Sequence, residues 1–186
     1  MNIFHITKLA QDYASTAITK GDKVIDATAG NGADTVFLAE KVGQTGQVYA
    51  FDIQEDAIKN TKAKVLEKAY ESRVQLIQDS HANIDQYVQG PISCAMFNLG
   101  YLPKGDPAII TKGASSIKAL KKSLELLKVN GIITICIYTS HEGGVEEASI
   151  VEAYLKVLDK YRYKVLKYSC LNDQTSPYIV LIARMK

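Results

Sequence analysis

The sequence predicts an α/β fold with a mostly parallel β-sheet and helices on both of its faces. Apolar strands alternate with amphipathic helices along the 186 residues, which is typical of this fold class. The segment from Ile92 to Phe97 is an almost continuous apolar run, as expected of a central strand that helices cover on both sides. With 47% hydrophobic residues and 4 prolines, the chain suits one globular domain spanning residues 1–186.

The first strand leads into a turn that contains two glycines. The strand runs from Lys23 to Asp26, the turn is Gly30-Asn31-Gly32, and a helix is predicted over residues 33–42. Glycine adopts positive φ and carries no side chain, so the backbone of such a turn can approach a ligand closely. The unpaired N–H groups at the start of the helix point into the same crevice. The pattern indicates either a site for a nucleotide-like ligand or a plain tight turn.

The charges beside this turn narrow the choice of ligand. A dinucleotide fold would show the spacing G-x-G-x-x-G, whereas only Gly30 and Gly32 fit it and Asp34 occupies the next polar position. Asp26 and Asp34 would also repel a pyrophosphate. S-adenosylmethionine carries no phosphate and presents a sulfonium and an ammonium group, so acidic neighbours suit it. We therefore expect Asp26, Gly30, Asn31, Gly32 and Asp34 to bind this cofactor.

The second and third strands also end in acids, Asp52 and Asp79. Because the carboxyl ends of parallel strands face one crevice, these side chains are expected to lie beside the glycine turn. Asp52 is the predicted ribose ligand, with Gln54 close to it, and Asp79, Ser80 and His81 are predicted to line the adenine. Two alternatives stay open: Asp52 could cap the following helix, and His81 could be a solvated loop residue.

The rest of the chain continues the alternation of strands and helices. A helix carrying Ile117, Leu120, Leu124 and Leu127 is expected to end at Asn130-Gly131. The residues up to Lys20 are predicted to form a helix over the cofactor cleft. The remaining predicted elements are a strand over 132–138, a helix over 145–160 and an antiparallel hairpin of strands over 163–169 and 178–184.

The glycine turn and the three acids resemble those of the class I S-adenosylmethionine-dependent methyltransferases. That resemblance implies a Rossmann-like sheet of seven strands in which the last strand inserts antiparallel. The chain also resembles, over nearly its whole length, a small bacterial family (YtqB-like, MnmM) long labelled as rRNA methylases and now assigned as tRNA wobble-uridine methyltransferases. Three segments carry this closer resemblance: Asp26 to Thr35, Asn98 to Asp106, and His141 to Gly144.

The end of the fourth strand is the predicted site of chemistry. Asn98-Leu-Gly-Tyr101 partly resembles the Asn/Asp-Pro-Pro-Tyr motif of amino-group methyltransferases, with leucine and glycine in place of the two prolines. By that resemblance Asn98 orients the acceptor amine and Tyr101 holds the uracil, as catalytic residues. Pro103, Asp106 and His141 are the predicted substrate-binding residues. The alternative is a polar strand end followed by a structural Gly-Tyr turn.

The resemblance implies that the acceptor is 5-aminomethyl-2-thiouridine at the wobble position of tRNA, bound through the anticodon stem-loop. The alternatives are methylation of rRNA or of a small molecule, and a noncatalytic module that binds S-adenosylmethionine. A homodimer would widen the surface available to tRNA. The net charge of +2 neither demands nor excludes an RNA partner.

Several kinds of site are not indicated. No stretch approaches the ~20 apolar residues of a membrane span, so neither a signal peptide nor an anchor is predicted and a cytoplasmic location is the default. Cys94, Cys136 and Cys170 are far apart and lack a histidine cluster, so no metal site is expected. They are predicted to be buried small apolar residues. The alternative for Cys94 or Cys136 is a nucleophile for C5 methylation of a pyrimidine.

Overall fold

The computed structural model describes residues 5–100 and 111–186. The strands are β1 (Lys23–Asp26), β2 (Gln47–Asp52), β3 (Val74–Gln78), β4 (Ile92–Leu99), β5 (Leu127–Ile137), β6 (Tyr163–Tyr168) and β7 (Tyr178–Arg184). The helices are α1 (Ile6–Ala17), α2 (Ala33–Val42), α3 (Glu55–Glu67), α4 (Ile84–Tyr87), α5 (Gly113–Leu126) and α6 (Gly144–Lys156), with short 3₁₀ turns at Glu71–Arg73 and His81–Asn83.

The strands form one seven-stranded sheet in the order β3-β2-β1-β4-β5-β7-β6. The neighbours from β3 to β5 pair in parallel, whereas β7 lies antiparallel to both β5 and β6. The predicted Rossmann-like fold with an antiparallel last strand is therefore confirmed. Since β1 continues to β2 on one side and β4 lies on its other side, the sheet has its topological switch point between β1 and β4.

Both faces of the sheet are buried, because successive residues of a strand point to opposite sides. In β1, Val24 packs with the residues of α1 and α2, and its neighbour Ile25 packs with those of α5 and α6. In β4, Met96 likewise packs with the residues of α1 and α2, and Phe97 packs with those of α5 and α6. This double burial explains why the central strands are apolar at consecutive positions rather than at alternate ones.

Two helix ends differ from the prediction. Helix α5 ends at Leu126 and not at Asn130-Gly131, because Leu127 already pairs with Ile92 at the start of β5. Asn130 takes positive φ (64°) inside an irregularity of that strand, after which Ile132 pairs with Cys94. Its turn chemistry thus marks a β-bulge, and not a helix stop.

Helix α6 also stops early, at Lys156 instead of residue 160. Val157 is 78% exposed, so no further apolar contact continues the helix at that position. The Asp159 carboxylate then accepts a hydrogen bond from the Tyr161 N–H (2.9 Å), which stabilises the turn into β6.

Helix α1 (Ile6–Ala17) lies within the N-terminal segment for which a helix is predicted. Its buried residues Ile6, Ala10 and Ala14 pack against the sheet, and its polar residues Thr7 and Gln11 face the cleft at the carboxyl edge. None of the described helices is long and apolar enough to cross a membrane.

Candidate active site

A cavity of about 450 Å³ opens at the carboxyl edge of β1, β2, β3 and β4. This is the edge at which parallel α/β sheets bind ligands, and the volume is in the range of small-molecule sites. Of the predicted cofactor residues, eight line the cavity: Gly30, Asn31, Asp34, Asp52, Gln54, Asp79, Ser80 and His81. Asp26 and Gly32 lie behind this lining. The predicted catalytic residue Asn98 faces the same cavity.

The glycine turn is held by contacts from helix α3. Gly32 is the N-cap of α2 in the left-handed conformation (φ 79°, ψ 11°), and a Cβ at this position would lie 2.9 Å from the Cα of Thr61. Glycine is therefore required here both by φ and by space. The Thr61 hydroxyl donates to the carbonyl oxygen of Gly30 (3.1 Å), which joins α3 to the turn. Asn31 is exposed, and its side-chain oxygen accepts from the Asn60 amide (3.0 Å).

Asp26 supports the turn from below. It is fully buried, and its carboxyl group accepts from the Thr35 hydroxyl (2.6 Å) and from the Thr28 N–H (3.2 Å). Burial, reinforced by the nearby charge of Asp34, raises the pKa of Asp26 to about 7. A direct contact between Asp26 and a cofactor stays a prediction, while its observed contacts fix the start of the turn and of α2.

The Asp52 side chain is held by two backbone N–H groups at the carboxyl end of β2. One carboxylate oxygen accepts from the Gly30 N–H (2.9 Å) and the other from the Gln54 N–H (3.0 Å). Each oxygen has a second lone-pair site, so the carboxylate can still accept hydroxyl groups from the cavity. This geometry suits the predicted ribose ligand, and it fixes Asp52 against the glycine turn before any ligand binds.

Asp79 is already surrounded by donors. Its oxygens accept from the Ser80 N–H (2.7 Å), from the Asn83 amide (3.1 Å to each oxygen) and from the Tyr87 hydroxyl (2.9 Å). The Asn83 and Tyr87 hydrogen bonds hold the pKa of Asp79 below its ordinary value, although burial opposes them. Asp79 therefore orders the segment after β3, and its role toward adenine stays a prediction.

His81 is buried in the lining of the cavity, and one of its ring nitrogens is held by the backbone. Its Nδ1 lies 3.1 Å from the carbonyl oxygen of Ala27, so Nδ1 carries the proton in that hydrogen bond. Burial lowers the pKa of His81, which favours the neutral ring. Its Nε2 is buried and accepts no hydrogen bond from the described residues. His81 is thus a preformed acceptor and not a solvated loop histidine.

Asn98 is held by two hydrogen bonds at the end of β4. Its backbone N–H donates to the Thr28 hydroxyl (2.8 Å), and its side-chain NH₂ donates to Asp34 (2.7 Å). A carboxylate only accepts, so the NH₂ group must be the end that faces Asp34. Asp34 is 7% exposed, and its second oxygen accepts from the Gln11 amide of α1 (2.8 Å). The side-chain oxygen of Asn98 receives no hydrogen bond from any described residue.

The family follows from comparison with known proteins. The model of the family described as "Putative rRNA methylase" matches residues 48–184. The chain belongs to this rRNA methylase family. It is 37% identical to the chloroplastic tRNA (mnm5s2U34)-methyltransferase of Arabidopsis thaliana, over 95% of this chain and 68% of that protein.

Solved structures agree with the family assignment. A protein described as a putative rRNA-methylase from Clostridium thermocellum has a TM-score of 0.96 and 41% identity, with all of both chains covered. A methyltransferase, also described as putative, from Streptococcus mutans was solved in complex with S-adenosylhomocysteine. It has a TM-score of 0.90 and 40% identity, covering 98% of this chain and 99% of that one. The prediction that the chain is an S-adenosylmethionine-dependent methyltransferase is thus confirmed.

The cavity of this rRNA methylase family member fits the cofactor chemically. Asp34, Asp52 and Asp79 give the lining an acidic character that suits a sulfonium and an ammonium group. His81 lines the same cavity, and its buried Nε2 has no hydrogen-bond partner among the described residues. Among the described residues no group of three His, Cys, Asp or Glu side chains could hold a metal ion.

Four residues are predicted to act on the acceptor: Tyr101, Pro103, Asp106 and His141. Tyr101, Pro103 and Asp106 lie outside the described residues, so their roles stay predictions. His141 is half-buried beside the cavity, and its ring packs over Gly144, where a Cβ would lie 2.7 Å from the ring. The same ring lies near Gly100, two residues after Asn98. Its role in substrate binding stays a prediction.

Several cavity residues of this family member were not predicted from the sequence. Gln11 and Thr28 hold Asp34 and Asn98, and Tyr138 and Thr111 line the cavity near Gly100. Tyr138 directly follows β5, so the rule that strand ends converge could have found it. The others become visible through contacts across 11 to 70 residues of sequence, for which no local pattern exists.

Proposed function

We propose that this enzyme transfers a methyl group to the primary amine of 5-aminomethyl-2-thiouridine at the wobble position of tRNA. The observation that carries the proposal is the side-chain amide of Asn98, which stands at the cavity with its NH₂ tied to Asp34. An amide oxygen held in this way can accept a hydrogen bond from an N–H group. The amine that receives the methyl group carries such an N–H. The 37% identity to a protein named for tRNA (mnm5s2U34) supports the choice of acceptor.

The residues of the chain divide between cofactor and acceptor. Asp52 and the Gly30-to-Gly32 turn would hold the nucleoside end of the cofactor, and His81 would offer its neutral Nε2 to a donor there. S-adenosylmethionine supplies a methyl group on a positively charged sulfur, and S-adenosylhomocysteine leaves with a neutral thioether. The chain aligns the amine with this methyl group, because an in-line displacement gains much of its rate from alignment.

Asn98 acts where positive charge develops. The amine lone pair forms the new C–N bond while the C–S bond breaks, so the nitrogen becomes positively charged and later loses a proton. The Asn98 carbonyl oxygen would accept an N–H bond of this nitrogen, and that bond strengthens as the charge grows. Asp34 polarises the amide from its other end. The Thr28 hydroxyl accepts a hydrogen bond from the Asn98 N–H, and the Gln11 amide donates one to Asp34. These two contacts keep the amide and the carboxylate in place.

The amine must be neutral before it can attack. Burial in the cavity disfavours the ammonium form and so favours the reactive one. The predicted helpers in proton removal are Asp106 and His141. Either role is tested by replacing that residue, which should lower kcat while the affinity for S-adenosylhomocysteine stays unchanged.

The deciding experiment is nucleoside mass spectrometry. Purified protein is incubated with S-adenosylmethionine and with tRNA from cells that lack this methylation. We expect a gain of one methyl on 5-aminomethyl-2-thiouridine. Since the family carries an rRNA methylase description, undermodified rRNA is tested in parallel. Methyl incorporation into rRNA, with none into tRNA, would reject the proposal.

The role of Asn98 is tested by Asn98→Ala with Asn60→Ala as control. Both changes remove an amide, but among the described residues the Asn60 amide hydrogen-bonds only to the exposed Asn31 side chain. We expect Asn98→Ala to lower turnover by about 10²-fold, the scale of losing one positioned transition-state hydrogen bond. Calorimetry should show nearly unchanged S-adenosylhomocysteine affinity for it. Equal losses of turnover and of affinity would contradict the role assigned to Asn98.

The proposal includes action in the cytoplasm, where the default location places the enzyme beside its tRNA. It also includes a homodimer, because a second copy would enlarge the surface that meets an anticodon stem-loop. Light scattering during gel filtration measures the mass directly. A particle of one chain mass at micromolar concentration, with and without tRNA, would remove the dimer from the proposal.

A further inference from the structure

A buried carboxylate that does not line the cavity is hydrogen-bonded to Thr111, which does line it near Gly100. Glu147, in the first turn of α6, is 4% exposed. One of its oxygens accepts from the Thr111 hydroxyl (2.5 Å) and the other from the Ser116 hydroxyl of α5 (2.7 Å). No described lysine or arginine forms an ion pair with it. Burying such a group is costly, so its two hydroxyl partners and the helix N-terminus must compensate its charge.

Thr111 is also hydrogen-bonded to the backbone of Gly100. The Gly100 N–H donates to the Thr111 hydroxyl oxygen (2.9 Å), and the Thr111 N–H donates to the Gly100 carbonyl oxygen (3.0 Å). A hydroxyl has one proton, so when Thr111 donates to Glu147 its lone pairs are left for Gly100. The carboxylate therefore sets the orientation of the hydroxyl that holds the Gly100 N–H.

Gly100 is close to the reacting end of the site. It lies two residues after Asn98, and Gly100, Thr111 and Asn98 all line the cavity. The carbonyl oxygen of Leu99, between them, accepts from the Tyr138 N–H (3.2 Å). The backbone that follows Asn98 is thus held on one side by β5 and on the other by Thr111 and Glu147.

We propose that Glu147 is a positioning residue that acts through Thr111, fixing the backbone at Gly100 and with it the aim of the Asn98 amide. The inference rests on the proposed function for the identity of the acceptor. It adds that alignment of the acceptor depends on a carboxylate that touches neither the cofactor nor the acceptor.

The test compares three substitutions of the two hydroxyl residues that hydrogen-bond to the Glu147 carboxylate. Thr111→Val keeps the volume but removes the hydroxyl, so the Gly100 N–H loses its partner. Thr111→Ser keeps the hydroxyl. Ser116→Ala also removes one hydroxyl from Glu147 but leaves Gly100 untouched, so it is the matched control. Four quantities are measured: melting temperature, S-adenosylhomocysteine affinity, turnover on undermodified tRNA, and hydrogen exchange of the Gly100 amide.

We expect Thr111→Val to lower kcat by at least about tenfold, since an acceptor misplaced by a fraction of an ångström loses much of its alignment. Its S-adenosylhomocysteine affinity should stay within about threefold of the original, because the cofactor residues keep their contacts. Exchange of the Gly100 amide should become much faster. Thr111→Ser should restore kcat, and Ser116→Ala should keep both kcat and the slow exchange despite a lower melting temperature.

Three results would overturn the inference. Thr111→Val could leave kcat and Gly100 exchange unchanged; Ser116→Ala could lower kcat as much as Thr111→Val, which would indicate general destabilisation; or cofactor affinity could fall together with kcat. If Thr111→Val does not fold, Glu147→Gln takes its place, with the same expected split between kcat and affinity. An original protein inactive on tRNA would refute the proposed function alone, because the exchange measurement needs no acceptor.

Discussion

The substitution Gly32→Ala tests how the cofactor turn is built. Gly32 has left-handed backbone angles, and an added Cβ would lie 2.9 Å from the backbone of Thr61 in α3. The left-handed conformation costs an alanine roughly 1–2 kcal/mol, and the forced overlap adds roughly 1–3 kcal/mol. We therefore expect the free energy of unfolding to fall by roughly 2–5 kcal/mol, a large share of the usual ~5–15 kcal/mol.

The matched control is Gly143→Ala. Gly143 is the N-cap of α6 with almost the same backbone angles (φ 76°, ψ −9°), but it is exposed and does not line the cavity. Its replacement should cost only the backbone term of about 1–2 kcal/mol. The difference between the two variants, measured by urea unfolding, then isolates the contact with Thr61.

The same pair separates stability from binding. The Thr61 hydroxyl donates to the carbonyl of Gly30, whose N–H in turn donates to Asp52. Displacing Thr61 therefore disturbs the predicted ribose ligand, and Gly32→Ala should weaken S-adenosylhomocysteine binding by at least about tenfold, or ~1.4 kcal/mol. Gly143→Ala should bind it as the original protein does. Equal unfolding losses, or equal affinities, in the two variants would refute this account of the turn.

Two further predictions concern titratable groups. The pKa of Asp26 is raised to about 7 in the fold by burial and by Asp34, so between pH ~4 and ~7 the folded chain holds a proton that the unfolded chain has lost. Stability should therefore decrease as pH rises through this window, by up to ~1.4 kcal/mol per pH unit, and Asp26→Asn should remove that slope; an identical slope in the variant would be evidence against the assignment. Burial raises the pKa of Cys94 and Cys136, whereas Cys170 is half-exposed, so a thiol reagent at neutral pH should modify Cys170 first and spare a Cys170→Ser variant until it is denatured.

The strands and the cofactor turn could be predicted because their causes are local. Strand β2 ends at Asp52 and α2 spans residues 33–42, as the alternation of apolar residues and the glycine spacing indicated. The bulge at Asn130 could not be predicted in this way. An Asn-Gly pair with positive φ occurs both at helix ends and in β-bulges. Only the pairing between Leu127 and Ile92 decides for the bulge.

The candidate site was predicted as a set of residues, but not as a set of contacts. The sequence placed Asp34 beside the cofactor, whereas in the fold both of its oxygens are occupied by amide groups of Gln11 and Asn98. These partners are 23 and 64 residues away, so the sheet topology has to bring them together. Likewise, Cys170 was expected to be buried from its apolar-looking surroundings, but it follows the exposed edge strand β6 and is half-exposed.

The acids around the turn have different tasks, which explains how the site tolerates so many of them. Asp26 is removed from the cavity and holds a proton more readily than an ordinary aspartate, so it adds little repulsion. Asp52 is compensated by two backbone N–H groups, and Asp34 by two amides, one of which belongs to Asn98. Methyl transfer moves positive charge from the sulfur to the acceptor nitrogen. In the proposed reaction, Asp34 is linked through the Asn98 amide to that nitrogen. The carboxylate would then stabilise the charge where it arrives and favour the transition state over the bound reactants.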